Sequence, residues 1–112
     1  MALGFSPKEI FNKLVELIKM INRKYKNIKI INIQLKPSIE RVSKLTDIIF
    51  LNSMITDHFK KYDNLIQLNC FEEIIQTGMI DKSFFLRDGL HLNRKGYELI
   101  INKLNKLLSN DN

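Results

Sequence analysis

Ile28-Lys29-Ile30-Ile31-Asn32-Ile33-Gln34-Leu35-Lys36-Pro37-Ser38 is the stretch on which the fold turns. From Ile28 to Leu35 it is β-branched and nearly all apolar, the pattern of a strand covered on both faces. Pro37 ends it, because proline has no amide hydrogen to give to a ladder. Buried strands of this kind belong to parallel sheets, whose strands are joined by helical crossovers. Upstream, Ser6-Pro7-Lys8-Glu9 predicts a helix start, with Ser6 and Glu9 capping each other's amides and Pro7 in the first turn. Ile10, Leu14, Leu17, Ile18 and Ile21 then recur on one helical face, and the pattern fades at Arg23-Lys24, where cations suit the negative helix end. Downstream, Ser38 and Glu40 are expected to open a second helix reaching about Tyr62, with Val42, Leu45, Ile48, Ile49, Ile55 and Phe59 on its apolar side. Leu65, Ile66 and Leu68 make a second short strand, followed by a turn or helix through Phe71 and Ile75. The stretch from Thr77 to Leu92 reads as irregular, and Asn93 caps a last helix that carries Tyr97, Ile100, Ile101, Leu104, Leu107 and Leu108 toward the core.

The order αβαβ, loop, α predicts an α/β layer structure with a parallel sheet. Two strands alone leave apolar faces and an edge exposed, which native proteins avoid, so the pattern requires more chain or a partner. At 112 residues the chain is one domain at most, and its 45% hydrophobic and 27% charged residues are those of a packed protein rather than a disordered one. Its longest uncharged apolar runs, Ile48 to Ile55 and Ile30 to Leu35, fall well short of the ~18 to 20 residues that span a bilayer. No secretory signal is visible at the start, and the expected compartment is the cytoplasm. A single cysteine, Cys70, with only His58 and His91 excludes an intramolecular disulfide and a Cys/His zinc site, so neither metal nor cofactor is expected.

Residues 1 to 62 hold twelve Lys and Arg against five Asp and Glu, while residues 63 to 112 hold six against seven. Any contact with a polyanion therefore involves the first half, yet Lys8, Lys19 and Arg23 lie close to Glu9 and Glu16 with no interleaved aromatics, the mark of a solvated helix face. Nucleic acid is not the expected partner.

In open α/β sheets ligands bind beyond the carboxyl ends of the strands, which directs attention to the loops after Leu35 and after Asn69. In the first, Lys36 and Arg41 suit an anionic substrate group, although Pro37-Ser38 reads equally as a strand stop and helix cap. The second leads to Asp88 and His91, three apart just before a helix. A carboxylate that accepts from one imidazole nitrogen leaves the other free to take a proton from a nucleophile. Taken alone, such a pair is more often a loop aspartate beside a surface histidine.

The surrounding residues change that reading. Asp88-Gly89-Leu90-His91-Leu92-Asn93-x-x-Gly96-Tyr97 closely resembles the last block of the SGNH/GDSL hydrolases. Ile33-Gln34-Leu35-Lys36-Pro37-Ser38-Ile39-Glu40-Arg41 is similar to a strand-to-loop segment of that family's lipase and acylhydrolase branch. Ala2-Leu3-Gly4-Phe5-Ser6-Pro7-Lys8-Glu9-Ile10 resembles the segment after its G-x-N-D block. The resemblance implies a flavodoxin-like three-layer α/β/α fold and hydrolysis of a small acyl ester through a serine acyl-enzyme, with His91 as base and then acid and Asp88 orienting it. The family's nucleophile and oxyanion hole have no match: none of the serines at 6, 38, 43, 53, 83 and 109 follows Gly-Asp. Residues 1–112 are thus expected to be the C-terminal portion of one such domain, inactive alone and prone to self-association or to pairing with a missing N-terminal half. The alternative is a small basic α/β module without catalysis that binds a protein or nucleic acid.

Overall fold

The helix predicted at Ser6 runs over Pro7–Lys24 (α1) in the computed structural model, which describes residues 6–76 and 78–110. The capping box forms as expected: the Ser6 hydroxyl accepts from the Glu9 amide at 3.2 Å, and the Ser6 amide donates to Glu9 Oε1 at 3.4 Å. A cap of this kind is worth about 1 kcal/mol. The buried stripe centres on Ile18, with Ile10, Phe11, Leu14 and Val15 beside it. Rotation of the stripe toward Phe11 and Val15 leaves Leu17, expected inside, 48% exposed on its rim.

The strand after α1 is shorter than its apolar run, Ile30–Ile33 (β1), and is not covered along its length. It pairs with Leu65–Leu68 (β2) alone among the described residues. The Ile30 amide donates to the Asn64 carbonyl at 2.7 Å and the Gln34 amide to the Leu68 carbonyl at 2.9 Å. Both strands advance by four residues between these bonds, which makes the pair parallel. Side-chain amides follow the same offset, Asn32 to Gln67 and Asn69 to Gln34, each at 2.8 Å. Asn64 ties the entrance of the pair by donating to Asn22 Oδ1 and to the Ile28 carbonyl.

The second helix begins later than predicted. Ser38 does act as a cap, but of a turn: its hydroxyl accepts from the Arg41 amide at 3.2 Å. A 3₁₀ turn at Val42–Lys44 precedes the helix Leu45–Phe59 (α2). The Glu40 amide donates to the Gly89 carbonyl at 3.0 Å, which ties this segment to a distant loop. On α2, Ile48, Leu51, Ile55 and Phe59 are buried, whereas Ile49 and Phe50 stay half exposed.

The chain forms two compact units: one from the chain up to Ile33 with Lys44–Gln67, the other from Gln34–Ser43 with the chain from Leu68 onward. The first is built on Ile18, Leu51, Ile55, Phe59 and Leu65. Phe59 meets Tyr62 edge to face at 5.0 Å and Phe11 meets the exposed ring of His58 at 5.3 Å. In the second, a single helical turn at Phe71–Ile74 (α3) leads to the strands Ile75–Gln76 (β3) and Met79–Ile80 (β4), an antiparallel pair with Ile75 opposite Ile80. Gly78 turns the chain at a φ of 78°. A 3₁₀ turn at Lys82–Phe84 and the helix Arg94–Asn110 (α4) complete the unit. Its buried residues include Leu68, Cys70, Ile74, Phe85 and Leu92. On α4, Ile100, Leu104 and Leu107 are half-buried, but Tyr97, Ile101 and Leu108, expected inside, face out. Lys103 of α4 binds both the Glu73 carboxylate and the Asn69 carbonyl.

The protein is thus a mixed α/β fold with a small parallel sheet. No described helix is long and apolar enough to cross a membrane. Of the segment Ala2 to Ile10 that carries one of the resemblances, residues 2–5 lie outside the described residues.

Candidate active site

Within the stretch read as irregular, Phe85 to Leu92 is a closed loop. Phe85 and Leu92, both buried, face each other as an isolated antiparallel bridge, and the Leu86 amide donates to the His91 carbonyl at 2.9 Å. Within it, the Gly89 amide donates to the Leu86 carbonyl at 3.0 Å, closing a β-turn whose last residue has a φ of 68°. Asn93 fixes the exit. Its side-chain nitrogen donates to the Ser83 and Phe85 carbonyls, and its oxygen accepts from the Gly96 amide at 3.0 Å, capping α4.

Asp88 occupies the loop's centre. One carboxylate oxygen accepts from the amides of Leu90 at 2.9 Å and His91 at 3.0 Å, and the other meets His91 Nδ1 at 2.5 Å. The hydrogen bond to His91, with the two backbone amides behind it, holds the Asp88 carboxyl down to about 2. An ionised carboxylate accepts only, so the shared proton resides on His91 Nδ1. The other nitrogen, Nε2, then carries a lone pair on a side chain that is 66% exposed. Two aligned oxygens hold backbone and ring at once, so the imidazole is oriented before any substrate arrives.

The titration has a definite sign. Because the folded carboxyl lies below its ordinary 3.8, its contribution to loop order is complete above that value and is lost as pH falls through about 2. The Leu90 and His91 amide resonances are therefore expected to hold steady on acidification through 3.8 and to move with a midpoint near 2. A midpoint at 3.8 would show the carboxylate unbonded.

The loop after β1 lies against this one. Pro37 and Ser38 are fully buried, and a Cβ on Gly89 would sit 3.0 Å from Ile39 Cβ and 3.4 Å from the Glu40 nitrogen. Gly89 therefore meets two demands, a left-handed φ and a close neighbour. Gly89→Ala is expected to lower stability by about 1–2 kcal/mol from the backbone conformation alone, read as a shifted denaturation midpoint at unchanged slope.

The structure brings Lys36 into the field of Asp88. Burial lowers the Lys36 amine first, the charge of Arg41 lowers it further, and Asp88 opposes both. The Arg41 guanidinium stands 3.7 Å from Glu40 and stays partly exposed. Ser38, Asn93 and Gly96 support the site more than their sequence reading suggested. Gly96 in particular is a close-packing residue: a Cβ there would lie 2.6 Å from the Phe84 carbonyl oxygen and 2.8 Å from a Leu92 methyl. The sequence signal for it was its place one turn into a helix, where glycine is otherwise unfavourable.

Neither Cys70 nor Ser83 is placed to act as a nucleophile. Burial raises the Cys70 thiol, the opposite of activation. Ser83 accepts from Lys95 at 2.6 Å and donates to Asp81 at 2.7 Å, and an ammonium that gives a proton to a hydroxyl cannot also take one from it.

Comparison with known proteins adds a fold. No protein-family model matches the chain, and no curated protein matches it. A solved structure described as "a putative platelet activating factor" from Streptococcus pneumonia is similar to it, with a TM-score of 0.77 over 91% of this chain at 22% identity. The chain spans about half of that protein's length, 51%.

Proposed function

We propose that the chain is the C-terminal portion of an SGNH/GDSL-type serine esterase with a three-layer, flavodoxin-like α/β/α domain, supplying the acid–base half of its triad. The observation that carries this reading is the Asp88–His91 pair, with Nδ1 held at 2.5 Å and Nε2 open. His91 Nε2 takes the proton of a serine hydroxyl as that oxygen attacks the ester carbonyl, then returns it to the departing alcohol. Asp88 keeps the tautomer and stabilises the imidazolium without itself being protonated. In the second half-reaction His91 activates water against the acyl-enzyme. Lys36 and Arg41 attract an anionic group of the ester.

The likeness to a fold about twice as long supports the reading that serine and oxyanion donors belong to another part of the domain. Each oxyanion donor is worth ~10²-fold or more, so the 112 residues alone are expected to leave p-nitrophenyl acetate at its buffer rate. Joined to an upstream half bearing a Gly-Asp-Ser block, they are expected to hydrolyse it and to direct a fluorophosphonate to that serine. Hydrolysis by the chain alone that disappears in His91→Ala would place a nucleophile within it and overturn the proposal.

A further inference from the structure

We infer that Leu86 determines specificity in the proposed esterase, as the apolar wall against which the alcohol side of the ester lies, and that the preferred substrates are esters of small apolar alcohols. Phe85 and Leu92 are the bridged pair at the foot of the loop, and both are buried. Side chains alternate along paired strands, so the next pair outward, Leu86 and His91, turns to the opposite side. The bond from the Leu86 amide to the His91 carbonyl at 2.9 Å joins that pair. Directly opposed residues hold their Cβ atoms about 5 Å apart. Leu86 is 53% exposed and the His91 side chain 66%, so a leucine and the base of the site share one open surface.

A single exposed leucine is ordinary on a protein surface; a leucine opposite the base is not. Both main-chain groups of Leu86 are engaged, the amide by the His91 carbonyl and the carbonyl by the Gly89 amide at 3.0 Å. The side chain therefore starts from a fixed backbone, and its apolar surface is presented at little cost in ordering. Chemistry decides which part of the substrate meets it. The Nε2 proton passes to the departing alcohol oxygen as the bond from that oxygen to the acyl carbon breaks, so the oxygen lies within hydrogen-bond reach of Nε2. The group this oxygen carries is thus on the His91 side of the scissile bond, next to Leu86. An apolar group there gains by taking the leucine out of water, whereas a charged one loses its own hydration.

The inference rests on the esterase reading, and its test separates the two. The chain joined to an upstream half bearing a Gly-Asp-Ser block is assayed on the acetates of methyl to butyl alcohol and, in parallel, on the methyl esters of acetic to valeric acid. A methylene removed fully from water is worth about fourfold, and one laid against a single half-exposed side chain about twofold. The expected result is a kcat/KM that rises by about eightfold from methyl to butyl acetate. Leu86→Asn, which keeps both main-chain bonds of the loop, is expected to flatten that series to within about twofold. Leu86→Met is expected to retain it, and neither substitution to change the slope of the acyl series. A flat alcohol series in the parent, the outcome if the other half covers Leu86, overturns the inference while the esterase reading stands. So does an equal change of both series in Leu86→Asn, or a loss in Leu86→Met as large as in Leu86→Asn. Absence of hydrolysis of every ester by the joined chain overturns the esterase reading and the inference with it.

Discussion

Replacing His91 by alanine is expected, on the proposed esterase function, to lower ester hydrolysis by the chain joined to its serine-bearing half by at least about 10⁴-fold. The figure follows from the role proposed for the imidazole. Its ring is held in a fixed direction, since Asp88 binds Nδ1 at 2.5 Å and nothing described binds Nε2. Without it the serine hydroxyl has no acceptor and the leaving alkoxide no donor, so both half-reactions slow together. The loss is expected in kcat with little change in KM, because His91 acts in the transition state rather than in ground-state binding. The loop itself survives, for its closing bonds run from the backbone of Leu86 to the backbone at position 91 and from Asn93 to Phe84. A His91→Ala enzyme that keeps a tenth of its rate while remaining folded would remove His91 from the mechanism.

Much of this was legible in the residues, and where it was not the reason is physical. Helix α1 could be read to the residue because its signals are local: a capping box at one end and two cations at the other. β2 was equally plain, with Leu65, Ile66 and Leu68 between Asn64 and Asn69. The start of α2 was misplaced because Ser38 and Glu40 satisfy the local rule for a helix, while the segment they lie in forms separate turns at Ser38 and Val42–Lys44 and is tied to Gly89, forty-nine positions later in the chain. Leu17 and Tyr97 sit at stripe margins, where a small rotation of the helix decides between core and solvent. At the site, Asp88-x-x-His91 was visible as a spacing, but not the division of labour between the two carboxylate oxygens, which exists only once the turn at Gly89 has formed.

That division of labour sets the outcome for Asp88→Asn, which is expected to cost about 10⁴-fold in kcat while leaving the loop closed. The oxygen that accepts from the Leu90 and His91 amides faces two donors, so an asparagine must keep its carbonyl there. Its NH₂ group is then forced into the place of the oxygen that now meets His91 Nδ1. A donor in that position requires Nδ1 to accept, which moves the ring proton to Nε2. The nitrogen that should take the serine's proton already carries one, and no imidazolium that forms has a negative charge to face. The substitution keeps size, turn and capping bonds and changes only the tautomer, so stability at neutral pH should change far less than the rate. Nitrogen resonances of the imidazole provide the direct check: protonated Nδ1 in the parent chain and protonated Nε2 in Asp88→Asn. If both chains show the proton on the same nitrogen, Asp88 is not what orients the base, and its three hydrogen bonds serve the turn alone.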